Sequence, residues 1–323
     1  MLEFGFELAL CSHLERERDA VVARQLGEGV HSSRRVLDVV CVEPGPGFDD
    51  RAVITNREIP AAAIESDVGP GRSRYWRDAF DSSSDWARSQ VDRAIEVGFF
   101  ECERRKGRDY VRQSCRYPAD WFGRITAIEN KPDLGAPGDL ETQLLKDVEL
   151  GLVDEVVLAT ASHVTGAHLN RFPDEVGVWR FDPETLERTV VREATPLGVT
   201  GPGVEIVEEH PGWTEVRVAS ADEKARARRR LAERAYGKGW RSYDFPACGR
   251  VEETSLGESG GVPFCAWKGR VVDPGSDCGP DCGGFGAADP PDVDVAGERD
   301  RLTPWVADPD GLASRQSGLD RFT

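Results

Sequence analysis

The segment from residue 125 to residue 161 constrains the fold most. Its first part, ITAIENK, is typical of an apolar strand that turns polar at Glu129 and Lys131 before Pro132 stops it. A helix, DLETQLLKDVEL, follows and ends at Gly151, and DEVVLATA is a second strand. A strand, a helix and a strand in this order form a right-handed parallel crossover. The sequence therefore predicts an α/β core.

The polar end of the first strand carries a pair of residues that could take part in catalysis. Glu129 and Lys131 are two positions apart, and alternate residues of a strand project from the same side. Pro132 favours extended backbone at Lys131, which keeps the two side chains together. Such a carboxylate can bind Mg²⁺ together with water and phosphate oxygens, and the lysine can orient or deprotonate an attacking water. The other acid-x-lysine triplet, Asp222–Lys224, lies in a predicted basic helix.

Three polar residues elsewhere could complete such a site. A helix is predicted over residues 3–17, followed by the strands VVARQL and RRVLDVVCVEP. Asp38 interrupts the apolar run of the second strand, where an unpaired carboxylate would be costly. Glu7 projects from the first helix, and Gln143 from the helix after the lysine strand. Each has an ordinary alternative: a strand-edge aspartate, a helix-face glutamate and a surface glutamine.

The order of these elements resembles the PD-(D/E)-x-K nuclease superfamily, which includes archaeal Holliday-junction resolvases, RecB-like exonucleases and many restriction enzymes. The similarity spans residues 3–45 and 120–160, although no proline precedes Asp38 and the insertion between the halves is unusually long. The resemblance implies that Asp38 and Glu129 bind Mg²⁺ or Mn²⁺. It also implies that Lys131 is the catalytic lysine, and that Glu7 and Gln143 are supporting catalytic residues.

The same resemblance gives the predicted fold class and its boundaries. We expect an α/β fold with a restriction-endonuclease-like mixed sheet built from residues 1–47 and 118–185. As a whole the chain also resembles a family of haloarchaeal proteins to which no function is assigned.

Residues 48–117 form an insertion with its own pattern. A helix, DWARSQVDRAIEVG, capped by Ser84 or Asp85, precedes two strands joined by the turn RRKGRD, which resembles the second half of a winged helix-turn-helix. Residues 99–116 contain six basic and three acidic residues. These bases are Arg104, Arg105, Lys106, Arg108, Arg112 and Arg116. The hairpin is either a solvated tip or a DNA-contacting wing in which Arg104, Arg105, Lys106 and Arg108 bind nucleic acid.

Residues 186–245 combine predicted antiparallel strands with a helix, SADEKARARRRLAERAYGKG. Ser220 and Glu223 form a capping box at its start. Its arginine face, which includes Arg228 and Arg229, is either simply solvated or follows a phosphate backbone.

Four cysteines lie close together in residues 246–285. Cys248, Cys265, Cys278 and Cys282 have the spacing C-x16-C-x12-C-x3-C within a Gly/Pro-rich stretch of low apolar content. This pattern suits a small C-terminal metal module. We expect Zn²⁺, with a [4Fe–4S] cluster, as in some RecB-like nucleases, and free thiols as the alternatives.

Composition limits the location and the partners. The net charge of −17, with six lysines among 41 basic residues, resembles proteins of salt-loving archaea. In that setting acidity says little about partners; elsewhere it would argue against nucleic acid, so locally basic segments are informative. No stretch approaches a membrane span and the start is not a signal peptide. We therefore expect a cytoplasmic protein with reduced cysteines. Residues 286–323 are predicted to be an acidic flexible tail.

Three hypotheses follow. The first is a metal-dependent nuclease acting on DNA, branched or single-stranded DNA included. The second is a non-catalytic winged-helix DNA-binding protein with a structural metal site and a decayed nuclease core. The third is a structural protein without a nucleic-acid partner. The sequence does not determine the oligomeric state. Convergence of the residues at 7, 38, 129 and 131 separates the first hypothesis from the second.

Overall fold

Helices and strands alternate along the chain, in which the computed structural model describes residues 2–27, 29–31, 35–80, 83–135, 138–182 and 185–309. The helices of these residues are Glu3–Glu17 (α1), Phe48–Ala52 (α2), Ala61–Glu65 (α3), Ser84–Glu96 (α4), Leu140–Leu150 (α5), Gly166–Leu169 (α6), Ala221–Lys238 (α7), Pro274–Asp277 (α8) and Val295–Leu302 (α9), with a 3₁₀ helix at Trp76–Ala79. The strands are Val21–Gly27 (β1), Val36–Pro44 (β2), Arg74–Tyr75 (β3), Phe100–Arg105 (β4), Arg108–Gln113 (β5), Phe122–Asn130 (β6), Glu155–Thr160 (β7), Gly177–Phe181 (β8), Arg188–Arg192 (β9), Gly203–His210 (β10), Trp213–Ala219 (β11), Val251–Leu256 (β12), Ser259–Cys265 (β13) and Arg270–Val271 (β14).

The described residues divide into two units. The larger unit comprises those within 1–43 and 124–304, and the smaller unit those within 44–123 and 305–323. A six-stranded sheet with the order β1-β2-β6-β7-β8-β9 runs through the larger unit. β1 and β2 are antiparallel, β6, β7 and β8 are parallel, and β9 is antiparallel to β8. The prediction of an α/β fold with a mixed sheet is therefore confirmed.

The predicted crossover connects β6, α5 and β7. β6 and β7 pair in parallel, with Glu129 opposite Leu158. α5 ends at Gly151, whose φ of 54° lies in the left-handed region that glycine adopts without a steric penalty. Its amide N–H donates to the carbonyl of Asp147 and closes the last turn. The crossover places α5 beside the carboxyl end of β6.

One buried apolar cluster of the larger unit lies between α1 and the sheet. Phe6 and Leu14 of α1 pack in one buried cluster with Ile128 of β6 and Val157 of β7. Because side chains alternate along a strand, a position facing α1 at Ile128 puts Glu129 on the other side of β6. The apolar alternation of β6 therefore determines which way its terminal carboxylate points.

The smaller unit has a three-stranded antiparallel sheet with the order β3-β5-β4. α4 packs on it through Val91 and Ala94. The β4–β5 turn consists of Lys106 and Gly107, whose φ values of 48° and 78° are those of a type I′ hairpin turn. The helix begins one residue earlier than predicted, at Ser84. Its N-cap is Ser83, whose side chain makes no capping hydrogen bond.

Two C-terminal predictions need correction. The low apolar content of the cysteine segment predicted little packing, but β12, β13 and β14 form an antiparallel sheet there. Val262 of that sheet is buried in one apolar cluster with residues of α1, so packing supplies part of its stability. The predicted flexible tail, residues 286–323, contains α9, and Arg299 of α9 donates to the carbonyl of Tyr236. Residues 310–323 lie outside the described residues.

Candidate functional site

A cavity of about 400 Å³ opens at the end of β6 in the larger unit. It is lined by Glu3, Arg35, Val36, Asp38, Glu129, Lys131, Gly138, Asp139 and Gln143. Four of the five predicted catalytic residues are among them, from three separate elements and the segment just after β6. The cavity brings together side chains that are more than 100 positions apart in the sequence.

The local backbone explains why Glu129 and Lys131 both reach the cavity. The amide N–H of Lys131 donates to the carbonyl of Ala159 at 2.9 Å, so the parallel ladder continues one residue past β6. Alternation therefore holds through Lys131. Asn130, between the two, points away, and its Nδ2 donates to the carbonyl of Glu3 at 3.2 Å.

Asp38 is held beside the end of β6 by two donors. Its Oδ2 accepts the amide N–H of Asn130 at 2.9 Å, and its Oδ1 accepts Nε2 of Gln25 at 3.3 Å. Burial raises the pKa of Asp38, while the hydrogen bond from Asn130 and the charge of Arg35 lower it. The carboxylate is thus fixed in place although its charge is incompletely compensated.

Glu129 is more strongly perturbed. Burial and then the negative charge of Asp38 raise the pKa of Glu129 to about 7, against the lowering effect of Arg35. Its Oε2 accepts Nη2 of Arg35 at 2.6 Å. Among the described residues, no hydrogen bond reaches its Oε1. Two neighbouring, desolvated carboxylates in one cavity favour a cation between them.

Glu7 does not line the cavity, and its predicted supporting role stays a prediction. Its carboxylate is buried and forms an ion pair with Arg24, and Nε2 of Gln25 donates to it at 3.1 Å. The same Nε2 reaches Asp38, so Gln25 links the two carboxylates. The backbone of Gln25 has a φ of 53°, a strained conformation for a residue other than glycine. Glu7 is therefore linked to Asp38 through Gln25, and the charge of Asp38 also raises the pKa of Glu7.

The sequence patterns did not flag two further residues, Arg35 and Asp147. Arg35 donates through Nε and Nη2 to the two carboxylate oxygens of Asp147, at 2.9 and 2.8 Å. Asp147 is buried on α5, one turn after Gln143 and on the same face of the helix. That spacing was a usable signal for Asp147. No sequence signal indicated that Asp147 pairs with Arg35, which is 112 positions away.

All three acids of the basic hairpin in the smaller unit are paired. Nε of Arg112 donates to Glu101 at 2.8 Å, Arg105 pairs with Glu103, and Asp109 accepts Nη1 of Arg88 at 2.8 Å. Four bases of this region have no carboxylate partner among the described residues: Arg104, Lys106, Arg108 and Arg116. The guanidinium of Arg108 lies over the ring of Tyr75. The tip is thus an exposed cationic surface.

The predicted arginine face of α7 is partly directed inward. Nη1 of Arg228 donates to the carbonyl of Leu152 at 2.7 Å, and its Nη2 donates to Asp154 at 2.8 Å. These bonds fix α7 to the loop after α5, and contact of Arg228 with nucleic acid stays a prediction. Arg229 is half-buried on the same helix.

Three of the four C-terminal cysteines adjoin. Cys248, Cys265 and Cys278 belong to one small apolar cluster. Hydrogen bonds from the backbone of Gly286 and Arg250 lower the pKa of Cys248. Across the described residues, however, the group of three ligand-type side chains whose donor atoms all lie within 4.8 Å of one another is Glu208, His210 and Glu215 on the β10–β11 hairpin. The four sulfurs do not form such a group.

Comparisons with other proteins bear on the chain as a whole. Neither a curated protein nor a solved structure matches it. Over the described residues, no helix has the length and apolar character needed to cross a membrane. A protein family does match residues 21–287, which include the whole cavity lining except Glu3. The chain belongs to this family, described as a family of unknown function, DUF5787.

Proposed function

We propose that the protein is a metal-dependent nuclease that hydrolyses phosphodiester bonds of DNA. The observation that carries the proposal is the cavity at the end of β6, where Asp38, Glu129 and Lys131 lie together. Two carboxylates and a lysine at this position are also what the resemblance to PD-(D/E)-x-K nucleases implies.

The donor set fits Mg²⁺ or Mn²⁺. Both cations prefer oxygen ligands and one or two protein carboxylates. Glu129 is buried and Asp38 is half-buried, the two negative charges repel each other, and Oε1 of Glu129 accepts no hydrogen bond among the described residues. When bound, a divalent cation polarises the phosphoryl oxygen and lowers the pKa of water.

The chain's own residues would do the remaining work. Asp38 and Glu129 would hold the cation, and Lys131 would orient the attacking water and offset phosphate charge. Gln143, from the first turn of α5, lines the same cavity and would hydrogen-bond the substrate or a water.

The decisive experiment is cleavage by purified protein with Mg²⁺ or Mn²⁺, on duplex, single-stranded and four-way-junction DNA, in high- and low-salt buffers. We expect Asp38→Asn and Glu129→Gln to lose cleavage while keeping their circular dichroism spectra. Glu155→Gln is the matched control, since Glu155 pairs with exposed Arg124 at 2.8 Å outside the cavity. Cleavage that persists in both cavity variants would place the active site elsewhere.

The smaller unit would supply DNA affinity. Its β4–β5 hairpin follows α4 and pairs with β3, which resembles a winged helix, and Arg104 and Lys106 have no carboxylate partner among the described residues. The exposed positions of α4 carry more acid than base, namely Asp85, Asp92 and Glu96 against Arg93. Contact through the hairpin is therefore favoured over contact through the helix.

The same observation favours the second candidate function, DNA binding without catalysis. Binding should then persist without metal and without cleavage. In either case, Arg104→Ala/Lys106→Ala should weaken DNA binding and reduce the slope of log K against log salt by about 2, roughly one per phosphate contact. The control is Glu101→Ala/Arg112→Ala, which removes a paired acid and base and leaves the net charge unchanged.

For the cysteine segment we propose Zn²⁺ bound by Cys248, Cys265, Cys278 and Cys282, with a [4Fe–4S] cluster as the alternative. The amides that lower the pKa of Cys248 support a thiolate. The sulfurs would have to move closer together, because they do not form a group within 4.8 Å. Elemental analysis of purified protein separates zinc, iron and neither.

A further inference from the structure

Arg35 connects the cavity to the face of α5. Its side chain is 10% exposed, Glu129 is 8% exposed and Asp147 is 2% exposed, so water competes little with their bonds. Nη2 of Arg35 donates to both acids, to Glu129 at 2.6 Å and to Asp147 at 2.8 Å. One guanidinium thus joins the end of β6 to the middle of α5.

The two carboxylates use Arg35 differently. Asp147 accepts Nε and Nη2 through its two oxygens, a two-point contact that fixes the plane of the guanidinium. Nη1 is held by the carbonyl of Val36 at 2.7 Å. With its plane fixed, Arg35 offers Glu129 a single bond in a defined direction.

That single bond selects the orientation of Glu129. A glutamate has three side-chain torsions, and ordering it costs conformational entropy. Because Oε2 is bound to Arg35, the torsions are restricted and Oε1 is the oxygen available to a ligand. Groups that orient ligating side chains typically change metal affinity 10- to 100-fold when they are lost.

We infer that Arg35 and Asp147 form a clamp that positions Glu129 for a divalent cation. This inference rests on the proposed function, and neither residue need touch the cation or the substrate. Asp147 acts only through Arg35, and the two are positioning residues. The alternative is that Arg35 merely offsets negative charge in the cavity.

Arg35→Lys distinguishes a clamp from a simple charge offset, because lysine keeps the charge but lacks the planar fork. Binding of Mn²⁺ to the intact protein is followed by the loss of the free-ion electron paramagnetic resonance signal. We expect Arg35→Lys and Asp147→Asn each to weaken binding about 10- to 100-fold. Because both variants break one clamp, Arg35→Lys/Asp147→Asn should be no weaker than the weaker single variant. Arg124→Lys, at the exposed pair with Glu155, should bind Mn²⁺ like the wild type.

Each outcome bears on the inference. Wild-type affinity in Arg35→Lys overturns the clamp, as do additive losses in the double variant, which would indicate a through-space charge effect of Asp147. If Arg35→Lys does not fold, Asp147→Asn decides: wild-type affinity there overturns the clamp. If the wild type shows no Mn²⁺ binding that is lost in Glu129→Gln, the proposed function and the clamp are both overturned. If only the clamp inference fails, the wild type still binds Mn²⁺ and Glu129→Gln still loses that binding.

Discussion

The chain contains two triplets of an acid, any residue and a lysine, and their surroundings differ completely. Glu129 and Lys131 end a strand, share its side and line one cavity. Asp222 and Lys224 lie in the first turn of α7, where two residues span about 200° of rotation. Asp222 is exposed, whereas Lys224 is buried and its Nζ donates to the carbonyl of Gly198 at 3.1 Å. The same letters give a shared site on a strand and separated side chains on a helix.

Burial shifts the pKa of one residue in each triplet, and the two shifts have opposite directions. It raises the pKa of Glu129 and lowers that of Lys224, to which the charge of Arg228 also contributes. In each case the charged form is disfavoured. Glu129, however, has Asp38 beside it and a cavity in front, while Lys224 has only a carbonyl partner and no carboxylate within 4.0 Å among the described residues. A cation can relieve the first arrangement, whereas the buried amine of Lys224 is already bound to the carbonyl of Gly198.

The largest expected effect compares the two lysines in DNA cleavage. Lys131→Met should reduce the rate at least about 100-fold, since a positioned proton-transfer or water-orienting group contributes that much. Lys224→Met should cleave at the wild-type rate, because Lys224 does not line the cavity. Initial rates on one DNA substrate, with circular dichroism as a folding check, measure both. Equal losses in the two variants would contradict the assignment of chemistry to the strand triplet.

For the free energy of unfolding we expect the reverse order, with the larger effect at Lys224 and the smaller effect at Lys131. Lys224→Ala removes a fully buried side chain and leaves the carbonyl of Gly198 without its donor. We expect the free energy of unfolding to fall by about 2–4 kcal/mol. Lys131→Ala, at a half-buried rim position, should change it by less than about 1 kcal/mol. Urea titrations measure both values. A larger loss in Lys131→Ala would mean that the rim lysine is a packing residue.

The raised pKa of Glu129 predicts a pH dependence of stability without metal. A carboxyl group whose folded pKa lies near 7, above its ordinary 4.5, binds more protons when folded than when unfolded. Its contribution to stability is present below pH 4.5 and is lost as the pH rises to about 7. Relative to Glu129→Gln, the wild type should lose about 3 kcal/mol over this range. Urea titrations of both proteins at several pH values in chelator test this. Parallel curves would contradict the shift.

Sequence patterns predicted what depends on neighbours along the chain. The strand, helix and strand around Gly151 and the capping box at Ser220 are local, and both appear in the structure. Grouping Asp38 with Glu129 needed the order of elements as well. Arg35 and Asp147 could not be paired, because a long-range ion pair leaves no periodic trace. The supporting role of Glu7 stays a prediction, since Arg24 and Gln25 hold its carboxylate and it does not line the cavity.

The smallest expected effect concerns the acid of the helix triplet. Asp222 lies in the first turn of α7, near the positive end of the helix dipole, and is exposed. Asp222→Asn should therefore lower the free energy of unfolding by about 0.3–1 kcal/mol, less at high salt. Its neighbour gives a contrast, since Glu223 accepts the amide N–H of Ser220 at 2.9 Å and its hydroxyl at 2.6 Å. Glu223→Gln should cost more, because it weakens two charge-assisted bonds. Mn²⁺ affinity should be unchanged in both variants. A loss of Mn²⁺ binding in Asp222→Asn would show that the helix triplet takes part in the site, and the contrast with Glu129 would fail.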